Sequence, residues 1–308
     1  MAIKEKIFPE LSEDTWLLYA EGRGGRTNCL ELAIWERFQP TDTPPRETKK
    51  ISLVSLQRHR MRLRKFLLPD NVLEYYSHLS ERPDVVNLGT VARVGIGYVT
   101  GANDFFHLRP SDAKRLKIPE SVLRIAVRKG DQLPLRDVDE SLMKCWIEKD
   151  EPVLLLDLSE TTRLPKGVRE YLESDAAKLA RQTYKCRNRD PWYVVPDISR
   201  PDAFLTYMSG KKPGLVKNSG GCVCSNSVHA VRLRERVRID DLLTAWDHPL
   251  ANLSKEIEGH PLGGGLLKLE PGEASRILLV FDNHASTDFD HKLLQSGINY
   301  AQAWRHCS

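Results

Sequence analysis

The sequence predicts an α+β fold of mixed or antiparallel sheets with helices, and no doubly wound nucleotide-binding sheet. Strand-like apolar runs, such as VLLLDL at 153–158, are short and irregularly spaced. The strongest helical pattern, at 167–187, does not alternate with strands as successive βαβ units would. We therefore expect the strands to pair in several mixed or antiparallel sheets.

The first fifty residues are predicted to form a hairpin and a linker. Apolar residues dominate 15–21, the glycines of 22–26 favour a turn, and 29–38 alternates apolar with charged residues. Residues 40–50 contain three prolines and a charged tail, which is typical of a linker.

The elements that follow are predicted from hydrophobic spacing. Apolar residues three and four apart predict two helices within 52–79, divided at Pro69. Strand-like residues occupy 85–99, a turn region follows, and a helical pattern lies near 111–127. A buried strand at 153–158 precedes the long helix, whose basic last turn suits the helix dipole.

Length and composition fit a globular chain of about two domains. The chain has 308 residues, of which 41% are hydrophobic and 19 are glycines. No apolar run reaches the roughly 18 residues of a membrane helix, and charged residues occupy the place of a signal peptide's apolar core. We expect a cytoplasmic protein without membrane partners. Its expected regions are a hairpin with linker at 1–50 and a main region at 51–308, whose division into lobes 51–200 and 201–308 stays open.

The six cysteines are predicted to be reduced thiols, because disulfide frameworks are typical of small exported chains. Cys222 and Cys224 are close in sequence, but a zinc site needs a second pair at short spacing. Cys186 and His229 are too far away along the chain to provide that pair. We therefore predict no metal site.

Basic residues cluster although the net charge is only +4, from 46 Lys and Arg against 42 Asp and Glu. One cluster spans 58–65, and later clusters contain Lys185, Arg187, Arg189, Lys211, Lys212 and Lys217. Acidic residues concentrate in 131–160. Clustered Lys and Arg are typical of phosphate-binding surfaces, so we expect a polyanionic partner.

Four further arginines occupy alternate positions, at Arg232, Arg234, Arg236 and Arg238. If this segment is a strand, all four project from one face, and such a row could follow a nucleic-acid backbone. The alternative, a half-exposed strand of solvated arginines, stays open.

Amide and aromatic residues interleave with the basic ones. Asn103, Asn218 and Asn226 could read base edges. Trp192 and Tyr193 could stack on bases, although aromatic residues more often belong to a core.

Two segments imitate motifs of S-adenosylmethionine enzymes. Gly95, Gly97 and Gly101 resemble a glycine-rich cofactor loop, but such a loop must open a helix, and an aromatic strand-like run follows here. Residues 190–193, Asp-Pro-Trp-Tyr, resemble the motif that grips an exocyclic amine, with Trp192 in place of its second proline. The glycine-rich loop and this segment could serve a free-standing methyltransferase, which we keep as the alternative function.

The order of five segments resembles the target-recognition region of adenine-N6 DNA methyltransferases of type II restriction-modification systems. These segments are 56–79, 88–108, 186–197, 212–233 and 257–279. The most specific elements are 99–106, 191–193, Asn218 with Asn226, and 263–271. Residues 13–25 also resemble the hairpin that closes the catalytic domain of that family.

This resemblance implies a sequence-specific module that binds double-stranded DNA and is not catalytic alone. The family's cofactor loop and amine-binding motif lie upstream of any residue present here, so the chain resembles the recognition half of a split, truncated or excised methyltransferase. S-adenosylmethionine is implied for the catalytic partner domain, which could be a separate methyltransferase chain, and no cofactor is expected in this chain. The residues expected to contact DNA are Asn103, Lys185, Arg187, Arg189, Trp192, Tyr193, Lys211, Lys212, Lys217, Asn218, Asn226 and Lys268.

Overall fold

The computed structural model describes residues 1–10, 15–58, 62–210, 212–281 and 290–305. The chain forms two compact units, which we describe separately. The terminal unit comprises Met1–Leu88, Met208–Pro213 and Thr244–Ser308, and the central unit comprises Gly89–Tyr207 and Gly214–Leu243.

The strands of the described residues are short. In chain order they are β1 (Ala2–Ile3), β2 (Cys29–Leu32), β3 (Ile34–Trp35), β4 (Lys49–Ser52), β5 (Val85–Asn87), β6 (Ala92–Ile96), β7 (His107–Leu108), β8 (Leu123–Val127), β9 (Leu154–Leu156), β10 (Ala203–Thr206), β11 (Met208–Ser209), β12 (Leu215–Lys217), β13 (Val223–Cys224), β14 (Val228–Leu233), β15 (His260–Leu262), β16 (Leu266–Lys268) and β17 (Leu278–Val280).

The α-helices are also mostly short. They are α1 (Leu53–Arg58), α2 (Asp70–Leu79), α3 (Leu88–Val91), α4 (Asn103–Phe106), α5 (Pro110–Arg115), α6 (Glu140–Glu148), α7 (Lys166–Leu172), α8 (Asp175–Gln182), α9 (Tyr184–Arg187), α10 (Ile239–Asp247), α11 (Pro249–Glu258), α12 (Pro271–Ala274) and α13 (His291–Trp304). Short 3₁₀ helices occur at Leu63–Leu67, Glu120–Val122, Gly130–Gln132 and Gly263–Gly265. Within the described ranges, no helix is long and apolar enough to cross a bilayer.

An antiparallel four-stranded sheet organises the central unit, in the order β12–β10–β14–β6. A second sheet, in the order β13–β8–β9–β7, contains one parallel pair, β13 with β8. Buried apolar residues such as Phe106, Leu155 and Phe204 form the cores beside these sheets. The predicted α+β class is confirmed, since the larger sheets are antiparallel or mixed and accompanied by helices, and the parallel sheet β1–β3 has only two short strands.

Helices α2, α11 and α13 form the core of the terminal unit together with the antiparallel pair β5–β17. Arg305 follows α13 and is buried with its side chain against Glu256 of α11. Its Nε and Nη2 atoms donate to the two carboxylate oxygens of Glu256 at 2.9 Å each. The remaining guanidinium nitrogen donates to the carbonyls of Gly210 and Gly265.

The hairpin predicted within residues 15–38 is wrong. Strand β2 pairs with β4, which lies beyond the proline-rich segment, and 15–21 contributes only a bridge between Trp16 and Ala2. The physical reason is burial. Leu32 and Ile51 of the observed pair lie in a core cluster, whereas Leu18 of the predicted strand is 84% exposed.

Two predicted helices are interrupted. The 167–187 helix is divided into α7, α8 and α9 because Ser174 and Thr183 adopt extended conformations, and the Ser174 hydroxyl accepts from Ala177 N to cap α8. The helix near 111–127 ends early, since Lys117 has φ +54° and Pro119 follows it. Residues Leu123–Val127 form β8 instead. The two helices of 52–79 and the strand within 153–158 are confirmed.

Candidate nucleic-acid interface

An open cleft of about 790 Å³ lies in the central unit beside the edge strand β6. Four cationic side chains line the cleft, together with one carboxylate, Asp197. The full lining is Arg93, Gly95, Ile96, Gly97, Tyr98, Val99, Tyr184, Lys185, Asn188, Arg189, Pro196, Asp197, Ile198, Ser199 and Arg232. Such an excess of positive charge in a concave surface favours binding of a polyanion.

Two arginines lie directly opposite each other on one wall of the cleft. Arg93 of β6 pairs in register with Arg232 of β14, so both side chains share one face of the sheet. The Arg232 guanidinium donates to the Ser199 hydroxyl. The exposed Arg93 makes no side-chain hydrogen bond or ion pair within the described residues. Like charges in this arrangement destabilise a strand pair, and a bound anion would relieve the repulsion.

Helix α9 and the residues after it form a second wall of the cleft. Arg189 donates through its guanidinium to the carbonyls of Val99 and Thr100, with the Thr100 bond at 2.7 Å. Lys185 is exposed and packs its stem against Gly101, where a Cβ would lie only 2.5 Å from the Lys185 Cβ. Gly101 also has φ +83°, which favours glycine. These contacts hold Lys185 and Arg189 at the cleft.

The protein itself fills the space around Gly97 of the glycine-rich segment. A Cβ at Gly97 would lie 2.2 Å from the Cys224 carbonyl oxygen, so this glycine is required by packing. The Thr100 hydroxyl donates to Asn103 Oδ1 at 2.6 Å. The expectation that no helix follows this segment is wrong, because α4 begins at Asn103, although it has only four residues.

A protein-family model matches the part of the chain that contains the cleft. A model of the family described as the C-terminal domain of type II methyltransferase M.Eco57I matches residues 60–303, which include both walls of the cleft. The chain belongs to this family. It is therefore related to the methyltransferases of type II restriction-modification systems.

Individual relatives of this M.Eco57I C-terminal family member are distant. Type II methyltransferase M.AccI of Acinetobacter calcoaceticus is 22% identical over 203 residues, which cover 64% of this chain and 37% of the relative. The chain thus spans little more than a third of that relative.

Two solved structures also resemble the chain. The type IIG restriction endonuclease BpuSI is 16% identical at a TM-score of 0.46 and covers 83% of this chain and 30% of the endonuclease. A chain from a type I R-M system is 12% identical at a TM-score of 0.31, with coverages of 81% and 47%. Neither score is high enough to establish a shared fold.

A buried hydrogen-bonded pair supports the cleft of this family member. Tyr98 and His107 are 2% and 4% exposed, and the Tyr98 hydroxyl lies 2.7 Å from His107 Nε2. His107 Nδ1 lies 3.0 Å from the Asn103 carbonyl, so Nδ1 carries the proton and Nε2 accepts from Tyr98. Burial lowers the pKa of His107 to about 4, against the smaller effect of the Asn103 carbonyl.

We expect the free energy of unfolding to fall between pH 6.5 and pH 4 through His107. The unfolded chain takes up this proton near pH 6.5, whereas the folded chain does so only near pH 4. The contribution is therefore complete above pH 6.5, and roughly 3 kcal/mol is lost as the pH falls through this window. Urea denaturation of the wild type and His107→Gln at several pH values measures it. Equal pH dependence in both proteins would contradict the assignment.

The predicted aromatic contacts lie at the edge of the core. Trp192 and Tyr193 are half-buried, and the Trp192 ring packs 5.6 Å from the ring of Phe105. Arg187 is exposed and lies 5.6 Å over the Tyr184 ring. Among Trp192, Tyr193 and Arg187, the Arg187 side chain is the most exposed.

The predicted amide contacts differ in their surroundings. Asn218 is buried, its amide donates to the carbonyls of Pro201 and Cys222, and its carbonyl accepts from Cys222 N. Its side chain is therefore used to order the protein's own loop. Asn103 and Asn226 are exposed.

The remaining predicted lysines are dispersed. Lys217 of the central unit forms an ion pair with Asp240 at 3.2 Å. In the terminal unit, Lys212 is exposed, and Lys268 pairs with Glu270 at 2.8 Å. Lys211 lies outside the described residues.

The basic run 58–65 contributes to packing where it is described. Arg62 forms an ion pair with Glu273 at 2.9 Å, and Lys65 is buried over the ring of Tyr76. Arg64 donates to the Ala301 carbonyl. Residues 59–61 lie outside the described residues.

The predicted four-arginine row is also wrong. Strand β14 ends at Leu233, so Arg232 alone among the four lies on the strand. Arg234 donates to the Gly89 carbonyl, and Arg236 adopts φ +72° in a turn. After this turn, the chain enters α10 at Ile239.

The cysteine pair belongs to a buried core cluster of the central unit. Cys222 and Cys224 are buried, and burial raises the pKa of each thiol to about 12. The described part of the chain contains no group of His, Cys, Asp or Glu that could hold a metal ion.

Several cleft residues were not predicted from the sequence, namely Arg93, Tyr184, Asn188 and Ser199. Arg93 is a single basic residue in an otherwise apolar strand, which resembles an ordinary solvent-facing position. Its pairing with Arg232 depends on a strand register that joins residues far apart in sequence. The exposed position of Arg93 between the buried Ala92 and Val94 follows the alternation of a strand and was the available signal, but it does not reveal the partner.

Proposed function

We propose that this chain is the sequence-specific DNA-recognition module of an adenine-N6 DNA methyltransferase in a type II restriction-modification system. The observation that carries the proposal is the cleft, which presents Arg93, Lys185, Arg189 and Arg232 around one concave surface. Family membership with a type II methyltransferase domain supports it. The module is proposed to be inactive alone and to act with a methyltransferase catalytic domain that uses S-adenosylmethionine.

Duplex DNA fits the chemistry of the cleft. Guanidinium groups bind phosphate through two parallel hydrogen bonds, which a lysine cannot provide. A phosphate near Arg93 and Arg232 would remove their mutual repulsion in the same step. Phosphate contacts fix the register of a protein on DNA, while exposed amides such as Asn103, Asn188 and Asn226 are proposed to read bases.

The alternative, a free-standing methyltransferase using Gly95–Gly101 and Asp190–Tyr193, has less support. The carbonyls of Val99 and Thr100 already accept from Arg189, and Lys185 packs on Gly101. The positive cleft also disfavours the sulfonium cation of S-adenosylmethionine. Calorimetry discriminates the two functions, because micromolar binding of this cofactor would favour the alternative.

Fluorescence titration with duplex DNA tests the proposal. Four lining cations that neutralise four phosphates imply a slope of about −3.5 for the logarithm of affinity against the logarithm of salt concentration. We expect this slope between roughly 50 and 200 mM salt. A flat salt response would exclude phosphate binding by the cleft.

Sequence specificity needs a second measurement. Selection from a randomised duplex library is expected to enrich one motif that contains adenine. If binding depends on salt but no motif is enriched, the protein binds DNA non-specifically. This outcome would contradict the recognition role.

A further inference from the structure

Two glycines in β6 and its extension have different physical roles. A Cβ at Gly97 would overlap the Cys224 and Ser225 carbonyl oxygens at 2.2 and 2.3 Å, so the fold itself requires Gly97. At Gly95, no heavy atom beyond the chain neighbours lies within 4 Å of the corresponding Cβ position. Gly95 also lacks a positive φ. Neither packing nor backbone conformation therefore requires glycine at position 95.

Glycine is a poor choice for a strand when the fold does not need it. It loses more conformational entropy on folding than other residues and offers no side chain to pack. A glycine inside a strand often marks a place where a ligand or another backbone approaches closely. At Gly95 no described atom makes such an approach, so the space is open to a group from outside the described residues.

Gly95 shares its face of the sheet with the two opposed arginines. It lies two residues from Arg93 on β6, and Ala230 opposite it lies two residues from Arg232 on β14. Side chains two residues apart on a strand lie on the same face. All three of Arg93, Gly95 and Arg232 line the cleft. The bare strand surface therefore adjoins the paired guanidinium groups.

We propose that Gly95 is a positioning residue, at which the sugar-phosphate backbone of bound DNA lies directly against β6. This proposal rests on the proposed function. Without a side chain at position 95, a phosphate reaches Arg93 and Arg232 at hydrogen-bond distance. A bulky side chain there holds the backbone away, and N–H···O bonds are lost beyond about 3.2 Å between nitrogen and oxygen.

Gly95→Leu tests the role by filling the space without changing any charge. The matched control is Gly130→Leu, since Gly130 also belongs to the central unit, is similarly half-buried, and has nothing within 4 Å of its Cβ position. Gly130 does not line the cleft. Gly95→Ala provides an intermediate size. Each variant is titrated with the same duplex, and its thermal midpoint is measured without DNA.

We expect Gly95→Leu to bind the duplex at least about tenfold more weakly than the wild type, which corresponds to about 1.4 kcal/mol. Gly95→Ala should show a smaller loss, and Gly130→Leu should match the wild type. The thermal midpoint of Gly95→Leu should not fall, which separates blocked binding from misfolding. If Gly95→Leu binds within twofold of the wild type, the positioning role is overturned while the proposed function stands. If the wild type itself fails to bind duplex DNA, both are overturned.

Discussion

Replacing Arg93, Lys185 and Arg232 together with glutamine is expected to weaken duplex binding by about 2,000-fold or more. Each replacement removes one charge-assisted contact to phosphate, and such contacts contribute roughly 1.5 kcal/mol or more. The slope of affinity against salt concentration should become shallower by about 2.7, because three fewer counterions are released. Titration of both proteins over the same salt series measures both effects.

A matched triple variant separates local contacts from net charge. Lys114→Gln, Lys166→Gln and Arg169→Gln remove the same charge from exposed positions of the central unit outside the cleft. This control should keep most of the affinity and nearly the wild-type slope. Equal weakening in both triple variants would mean that DNA responds to overall charge, and the cleft would lose its assigned role.

Arg305→Met is expected to reduce the free energy of unfolding by about 3–5 kcal/mol, because it leaves a buried carboxylate without its cation. The Arg305 side chain is fully buried and that of Glu256 is 3% exposed, so water cannot compensate the loss. The carbonyls of Gly210 and Gly265 lose their donor in the same variant. Urea denaturation at pH 7 measures the change.

Two further variants define the cause. Lys4→Met breaks the ion pair between Lys4 and Glu36, whose side chains are 30% and 73% exposed. This variant should lower the free energy of unfolding by less than about 1 kcal/mol. Glu256→Leu combined with Arg305→Met removes both buried charges and should recover much of the lost stability. If the double variant is as unstable as Arg305→Met alone, the carbonyl contacts of Arg305 account for the loss.

The sequence predicts the class of the fold and one wall of the cleft. Lys185 and Arg189 belong to a dense basic segment, and their cluster is visible without any tertiary information. The other wall depends on Arg93 and Arg232, which become neighbours only through the register of β6 and β14. No local pattern specifies that register, so half of the candidate site stays hidden.

The basic run at 58–65 is prominent in the sequence, but its Arg62 and Lys65 contact other parts of the protein. Its density indicates phosphate binding, yet Arg62 is paired with Glu273, more than two hundred residues later in the chain. A charge cluster predicts a surface only when its partners are also known. The four alternating arginines likewise depend on structure that their spacing does not reveal. Strand β14 ends at Leu233, before three of these arginines, and the chain then continues to α10.

The chain passes between its two units four times, at residues 88–89, 207–208, 213–214 and 243–244. The central unit is thus encoded in two pieces, separated by the six residues Met208–Pro213 that belong to the terminal unit. Exchange of the continuous stretch 89–243 with a related gene therefore also transfers these six residues of the terminal unit. Chimeras that exchange the cleft must graft Gly89–Tyr207 and Gly214–Leu243 together, whereas residue-by-residue substitution around β6 needs no such coordination.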